Sequence, residues 1–200
     1  MSILIINGHP DKESLCNALA KHYYDGAKTA GAEAELIHLR DLSFKVNLEY
    51  GYRVETPLEP GLIHAQKAIK EASHLVFIFP VWWQTYPALF KGFIDRVFLP
   101  GFAFKYRKDS LFWDKYLKGK TARIITTMDT PGWYARIFYK RPAFNALKKG
   151  TLNFCGVKPV KVTTFSPVKM ASGEKIKRWL LKTRATGNKD GIKNLKKITP

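Results

Sequence analysis

The sequence is poor in cysteine, with only Cys16 and Cys155, and these lack the CxxC spacing of metal and redox motifs. That excludes a disulfide framework and suits a reducing cytoplasm, where both are expected as thiols. No stretch approaches the roughly 20 apolar residues that span a bilayer. The opening SILIING has no basic region before it and no small-residue cleavage site after it, so no secretion signal and a cytoplasmic location are expected. His, Cys, Asp and Glu nowhere cluster with metal-ligand spacing, and no metal is predicted. Acidic residues are also scarce, 16 against 34 Lys and Arg, for a net charge of +18. Such a field attracts phosphate-bearing ligands, nucleic acid or anionic membrane surfaces. The segment 182–200 carries six basic residues and one acidic residue, a net +5 that leaves +13 on the rest. No basic-aromatic alternation or nucleic-acid motif accompanies the charge, so no nucleic-acid partner is expected.

What is present fits one core of 200 residues, 46% of them hydrophobic and 14% aromatic. SILIING reads as a buried parallel strand ending at Gly8. A helix is predicted over about 17–29, with Gly31 as its stop. Further strands are predicted over 34–39, 75–79, 121–126 and 158–165, with Pro80 ending the third. Helices are predicted over about 62–72, 88–98, 133–153 and 173–183. Strand and helix thus alternate five times, which implies a doubly wound α/β fold: a five-stranded parallel sheet with helices on both faces. The chain divides into a domain over 1–183 and a basic C-terminal tail over 184–200. That tail has no apolar periodicity and reads as disordered or partner-binding.

Ligands of such sheets sit outside the carboxyl ends of the strands, which directs attention to three loops. In GHPDKESLCN, the Ser14 hydroxyl and the backbone N–H groups of 15–17 converge at a helix N-terminus, where a phosphate belongs, and His9 can add to it. Equally, Ser14 caps the helix and His9 is an ordinary loop residue. No Walker or GxGxxG pattern points to a nucleoside triphosphate or a Rossmann dinucleotide. In PVWWQTYP, Trp82 and Trp83 follow a buried strand and offer walls to a flat heteroaromatic ring; the alternative places them in a core or dimer interface. The third loop is TTMDTPGWY. A thiol at a helix N-terminus, as at Cys16, can become reactive. Without a nearby resolving cysteine, Cys16 reads instead as structural, and Cys155 as buried at a helix end.

GHPDKES, FPVWWQTYPALFKGFIDRVF, TTMDTPGWY and LNFCG together resemble the flavodoxin-like NAD(P)H quinone reductases, over nearly residues 1–180. The middle block, with Lys91, Gly92, Asp95 and Arg96, is the most specific. The resemblance implies a flavin, FMN with FAD as the alternative, since the chain lacks the long C-terminal extension of some FAD-using members. His9, Ser14, Leu15, Cys16 and Asn17 would hold its phosphate and ribityl chain. Pro80, Val81, Trp82 and Trp83 would line the isoalloxazine ring, and Thr126, Thr127, Met128 and Asp129 its other edge. Backbone N–H donors at the ring would stabilise negative charge. Tyr134 aligns with a tyrosine that stabilises charge during hydride transfer. The histidine that partners it is replaced here by Tyr139, Lys140 and Arg141, and the family's glycine pair by Met128 and Asp129. The implied activity is ping-pong transfer of hydride from NADH or NADPH through the flavin to a quinone or similar aromatic acceptor. The resemblance also implies a homodimer to which Trp83, Tyr86 and Phe102 contribute. The alternative role is a regulatory flavin-binding subunit of a membrane potassium-efflux system, with a membrane-protein partner facing the basic surface.

Overall fold

A computed structural model describes residues 2–196. The first half of the chain forms β1 (Ser2–Asn7), α1 (Leu15–Thr29), β2 (Ala34–His38), α2 (Pro60–Glu71), β3 (Ala72–Pro80) and α3 (Ala88–Val97). The second half forms β4 (Phe104–Tyr106), β5 (Trp113–Lys115), β6 (Thr121–Thr127), α4 (Gly132–Ile137), α5 (Pro142–Asn145), β7 (Val160–Phe165) and α6 (Gly173–Leu195). Five strands pair in parallel in the order β2-β1-β3-β6-β7, the flavodoxin-like strand order.

Successive side chains of a strand point to opposite faces, and the sheet has an apolar core on each. Leu4, Ile6, Leu75, Phe77, Phe79 and Ile124 pack under α2 and α3. Ile3, Ile5, Val76, Ile78 and Ile125 pack under α1 and α6. Each such fully buried side chain contributes roughly 1.5–3 kcal/mol. Strands buried on both faces have no polar side, which is why they read as unbroken apolar runs.

The Lys91, Gly92, Asp95 and Arg96 motif on α3 has a structural cause. Arg96 is fully buried and donates to the Lys45 and Pro57 carbonyls and to the Glu59 carboxylate, pinning the long 42–59 connection. Gly92 lets that connection approach at Val46, where a Cβ would collide, while Lys91 and Asp95 form an i,i+4 pair on the helix surface.

Two expectations need correction, and one pair of strands was not expected. The helix expected over 133–153 is broken, because Lys140 and Arg141 take left-handed φ of 54° and 53° ahead of Pro142. The residue before a proline is disfavoured in the α region, so Arg141 does not continue a helix and α5 starts afresh at Pro142, leading into a π-helical segment at Ala146–Asn153. The short antiparallel pair β4 and β5 had no sequence signal, each strand being three residues long. Finally, α6 does not stop at Thr183 but runs to Leu195, and Gly187, Asp190, Gly191 and Asn194 are buried within it. Through residue 196 the expected basic tail is therefore a packed helix; residues 197–200 of that tail lie outside the described residues.

Candidate active site

At the carboxyl ends of β1, β3 and β6, the three loops named from the sequence form one open cavity of about 290 Å³. Its walls include His9, Ser14, Leu15, Cys16, Pro80, Val81, Trp82, Thr127, Met128 and Asp129. Two larger hollows lie elsewhere, one of about 490 Å³ between α3 and the β4–β5 hairpin and one of about 550 Å³ along α1 and β2. Neither opens at the switch point between β1 and β3, where open α/β sheets hold their ligands.

The first loop is a chain of local hydrogen bonds. Asn7 Oδ1 accepts the His9 N–H, His9 Nδ1 accepts the Asp11 N–H at 3.0 Å, and Asp11 Oδ1 accepts the Glu13 N–H. Ser14 donates to the Asp11 carbonyl and accepts the Asn17 N–H, so it is the N-cap of α1. Because an N–H must donate, His9 Nδ1 carries the lone pair, and the proton of the neutral ring sits on Nε2. Burial lowers the His9 pKa more than the Asp11 charge raises it. The ring is therefore a neutral hydrogen-bond donor at pH 7, and it stands edge-on to Trp82, with centroids 5.5 Å apart.

Burial pushes the Cys16 thiol up to about 12, so its place in the first turn of α1 does not activate it. It instead meets the Thr127 hydroxyl at the end of β6.

The second loop is a tight turn in which Trp82 and Thr85 exchange both backbone hydrogen bonds. Its two central residues, Trp83 and Gln84, have φ of 49° and 59°. Hairpin turns of this kind favour Asn and Gly, and side chains held in the left-handed region cost of order 1–3 kcal/mol each. The Val81 and Trp82 N–H groups are spent on the Thr127 and Thr85 carbonyls, and that of Met128 on Phe165.

Four expected residues stand outside the cavity wall. Thr126 precedes Thr127 in the strand, so it faces the other side of the sheet, where its hydroxyl donates to Thr164. Asn17 opens onto the α1–β2 groove and accepts from Arg40. Trp83 is 99% exposed at the tip of its turn. Tyr134, half-buried on α4, stacks on Phe138 with centroids 4.4 Å apart. Of the residues expected at a dimer contact, Tyr86 packs against Phe79 and Phe90 in the core and presents little surface to a partner.

Two wall residues were missed. Asp11 lay unremarked within GHPDKES, and Val168 belongs to the loop after β7. That loop is tied to the third one, since Val168 N–H donates to the Met128 carbonyl and Lys169 N–H to the Asp129 carboxylate. The order β6-β7 at the sheet edge is the signal that would have brought this fourth loop into view.

A family model described as flavodoxin-like fold matches residues 1–185. The mouse (Mus musculus) protein named ribosyldihydronicotinamide dehydrogenase [quinone] is 28% identical over 181 residues, covering 78% of this chain and 77% of its own. Among solved structures, Smu.1420 from Streptococcus mutans UA159 is 29% identical with a TM-score of 0.76, over 94% of this chain and 100% of the other. An FMN-dependent NADH-azoreductase from Bacillus anthracis str. Ames Ancestor, solved with FMN, shares the fold at 19% identity, with a TM-score of 0.69 over 96% of this chain and 100% of the other. With the strand order, the position of the cavity and a model match across almost the whole chain, this protein belongs to the flavodoxin-like family.

Proposed function

We propose that the protein is an NAD(P)H-dependent flavin oxidoreductase that reduces quinones or similar aromatic acceptors, with FMN as its resident flavin. The observation that carries this reading is the convergence of Trp82, the first turn of α1 and the Thr127–Asp129 edge on one cavity at the switch point. Support also comes from the mouse relative's name, and from the azoreductase of the same fold, whose structure holds FMN.

The residues present suit a phosphate joined to a flat ring. The 15-residue α1 points its N-terminal dipole at the cavity, and the neutral His9 offers its Nε2 proton there. Trp82 supplies an aromatic wall, and Cys16 and Thr127 close the floor. The strained turn at Trp83 and Gln84 fits a function, since such conformations persist where binding requires them. With the Val81, Trp82 and Met128 N–H groups already committed, donors to the ring would come from farther along these loops, from residue 83 and from 129 onward.

When bound, the flavin supplies the ring that accepts and releases hydride. The chain's own part is to bind and orient. Asp129 pins the β7 loop and, with Met128, narrows the acceptor side of the site; Tyr134 is assigned to that side, where its hydroxyl would stabilise developing negative charge.

The test is the visible absorption of the purified protein before and after anaerobic NADPH, with the released flavin identified by chromatography and the steady state followed with a quinone. Flavin absorption that bleaches, release of FMN and parallel double-reciprocal lines are expected. A colourless protein that binds neither FMN nor FAD would overturn the proposal.

A further inference from the structure

The positive charge of the chain is concentrated on one side of α6. Arg178, Lys182, Lys189, Lys193 and Lys196 are exposed there, three, four or seven residues apart, the spacing that keeps side chains on one face of a helix. The ends of this stripe are 18 residues apart, about 27 Å of helix axis. The other side of the helix is fixed against α1 through Gly187 and Gly191, so the stripe faces water. It continues onto the neighbouring edge strand, β7, where Lys158, just before the strand, and Lys161 are exposed. Lys161 lines the same hollow, of about 270 Å³, as Lys193. Lysine on an edge strand also discourages pairing with another sheet, which accounts for Lys161 and not for five cations on a helix.

None of these seven cations forms an ion pair among the described residues. Between residues 158 and 196 the only carboxylates are Glu174 and Asp190. Asp190 is buried and spent on Arg123 and Tyr23, and Glu174 sits in the first turn of α6, ahead of the stripe. The exposed Asp25 and Glu33 lie beside β2, at the opposite edge of the sheet from β7.

Such a band is complementary to a polyanion, and two features choose among polyanions. Six of the seven cations are lysine, a compact hydrated charge that suits a diffuse anionic surface, whereas gripping individual phosphates favours the bidentate fork of arginine. Leu181 and Ile192, 56% and 43% exposed, stand on one flank of the stripe, 11 residues or about three turns apart. Aliphatic side chains gain nothing from a phosphodiester backbone, but they enter the headgroup region of a bilayer while lysines meet its anionic headgroups. A basic helix face with an apolar flank is the pattern of a membrane-surface element.

We propose that the face formed by α6 and β7 docks on anionic lipid bilayers. The contact is peripheral, since no described helix is long and apolar enough to cross a membrane. α6 covers the sheet face opposite α2 and α3, and the stripe runs toward the amino ends of the strands, where Asp190 meets His74, so docking leaves the cavity mouth open. It stands independently of the oxidoreductase reading, because the stripe exists whether or not a flavin is held.

Co-sedimentation of the full chain with vesicles tests it, using phosphatidylcholine alone and phosphatidylcholine with about 30% phosphatidylglycerol, a strongly anionic surface. Binding is expected only to the anionic vesicles, weakening as salt is raised. Lys182→Glu with Lys189→Glu should reduce partitioning roughly tenfold or more. Lys67→Glu with Lys70→Glu, the same charge change at exposed positions of α2 on the other face of the sheet, should leave most of it. Leu181→Ser with Ile192→Ser should weaken binding roughly threefold or more, with the circular dichroism of all three variants unchanged. Equal binding to both vesicles, no binding to either, or equal losses from the two charge pairs would overturn the proposal. So would a random-sequence DNA duplex that displaces the protein from anionic vesicles and binds the Leu181 and Ile192 variant as well as the wild type, because the face would then belong to nucleic acid.

Discussion

Cys16 Sγ lies 3.3 Å from Thr127 Oγ1 in the buried floor of the candidate active site, joining the first turn of α1 to the end of β6. A helix N-terminus ordinarily favours the thiolate, yet burial dominates here and lifts this thiol to about 12, as burial also does at Cys155. At pH 8 the thiolate fraction of either is then of order one part in ten thousand. The native protein should leave both cysteines unmodified by a thiol-reactive disulfide reagent on the time scale in which the unfolded chain reacts at both. Rapid modification of one thiol in the folded protein would show that the floor opens.

At the other end of the sheet, Asp190 of α6 accepts from Arg123 of β6 at 2.6 Å and 3.1 Å and from the Tyr23 hydroxyl at 2.8 Å, and it lies 3.6 Å from His74 Nε2. Burial alone would raise the Asp190 carboxyl, but the hydrogen bonds and charges of His74 and Arg123 outweigh it and hold the group well below its ordinary 3.8. A proton therefore binds the unfolded chain more readily than the folded one. The stability this supplies is complete above about pH 4 and is lost as the pH falls from there toward the depressed folded value. Asp190→Asn should cost about 3–5 kcal/mol at pH 7, because it strands the buried Arg123 charge. Urea unfolding at stepped pH should show the wild type losing the gap to the variant below pH 4; curves that stay parallel to pH 2 would refute the assignment.

This network also marks the boundary of what could be read from sequence. β1 and β3 were legible because they are buried on both faces and so appear as apolar runs, while the edge strands β2 and β7 carry Glu35 and Lys161 among their apolar residues and read less plainly. The site was legible at the level of loops, since a parallel sheet delivers the carboxyl ends of its strands to one edge, and Pro80, Trp82 and Ser14 sit where those ends must be. Which side of the sheet a residue faces was less visible: Thr126 and Thr127 look equivalent in sequence, and one register step separates a cavity wall from the opposite core. The second half of α6 was misread because Gly187, Asp190, Gly191 and Asn194 look like tail. Each is buried through a partner distant in sequence. Asp190 has Arg123, Asn194 shares a hydrogen bond with Ser73, and the glycines meet α1.

The glycine contact yields a sharper test. A Cβ at Gly187 would collide with the Tyr23 carbonyl on α1, and one at Gly26 with the Arg184 carbonyl on α6, backbone atoms that cannot swing aside. Gly150, in the π-helical segment, has nothing within 4 Å of the same position. Alanine has the higher helix propensity by up to about 1 kcal/mol, so propensity alone predicts stabilisation at all three sites. The packing predicts otherwise: Gly26→Ala and Gly187→Ala should each cost about 3 kcal/mol or more, at the upper end of overpacking penalties. Gly150→Ala should stay within about 1 kcal/mol of the wild type. Denaturant midpoints for the three variants decide it, and a neutral Gly187→Ala would mean that α6 is not packed on α1 as described.

His9 allows the proposed flavin cradle to be tested apart from turnover. Its Nδ1 is occupied by the Asp11 N–H, and its lowered pKa keeps the ring neutral, so what it can offer an anion is one hydrogen bond from Nε2. Glutamine carries an amide donor of similar reach, whereas alanine carries none. A hydrogen bond to a charged partner is worth about 1.5–3 kcal/mol. His9→Ala should therefore weaken FMN binding by roughly ten- to a hundredfold, and His9→Gln should recover most of the loss. The comparison with riboflavin, which lacks the phosphate, locates the contact: its affinity should barely respond to either substitution. Equal losses for FMN and riboflavin would place His9 at the ring, beside Trp82, and remove it from the phosphate site.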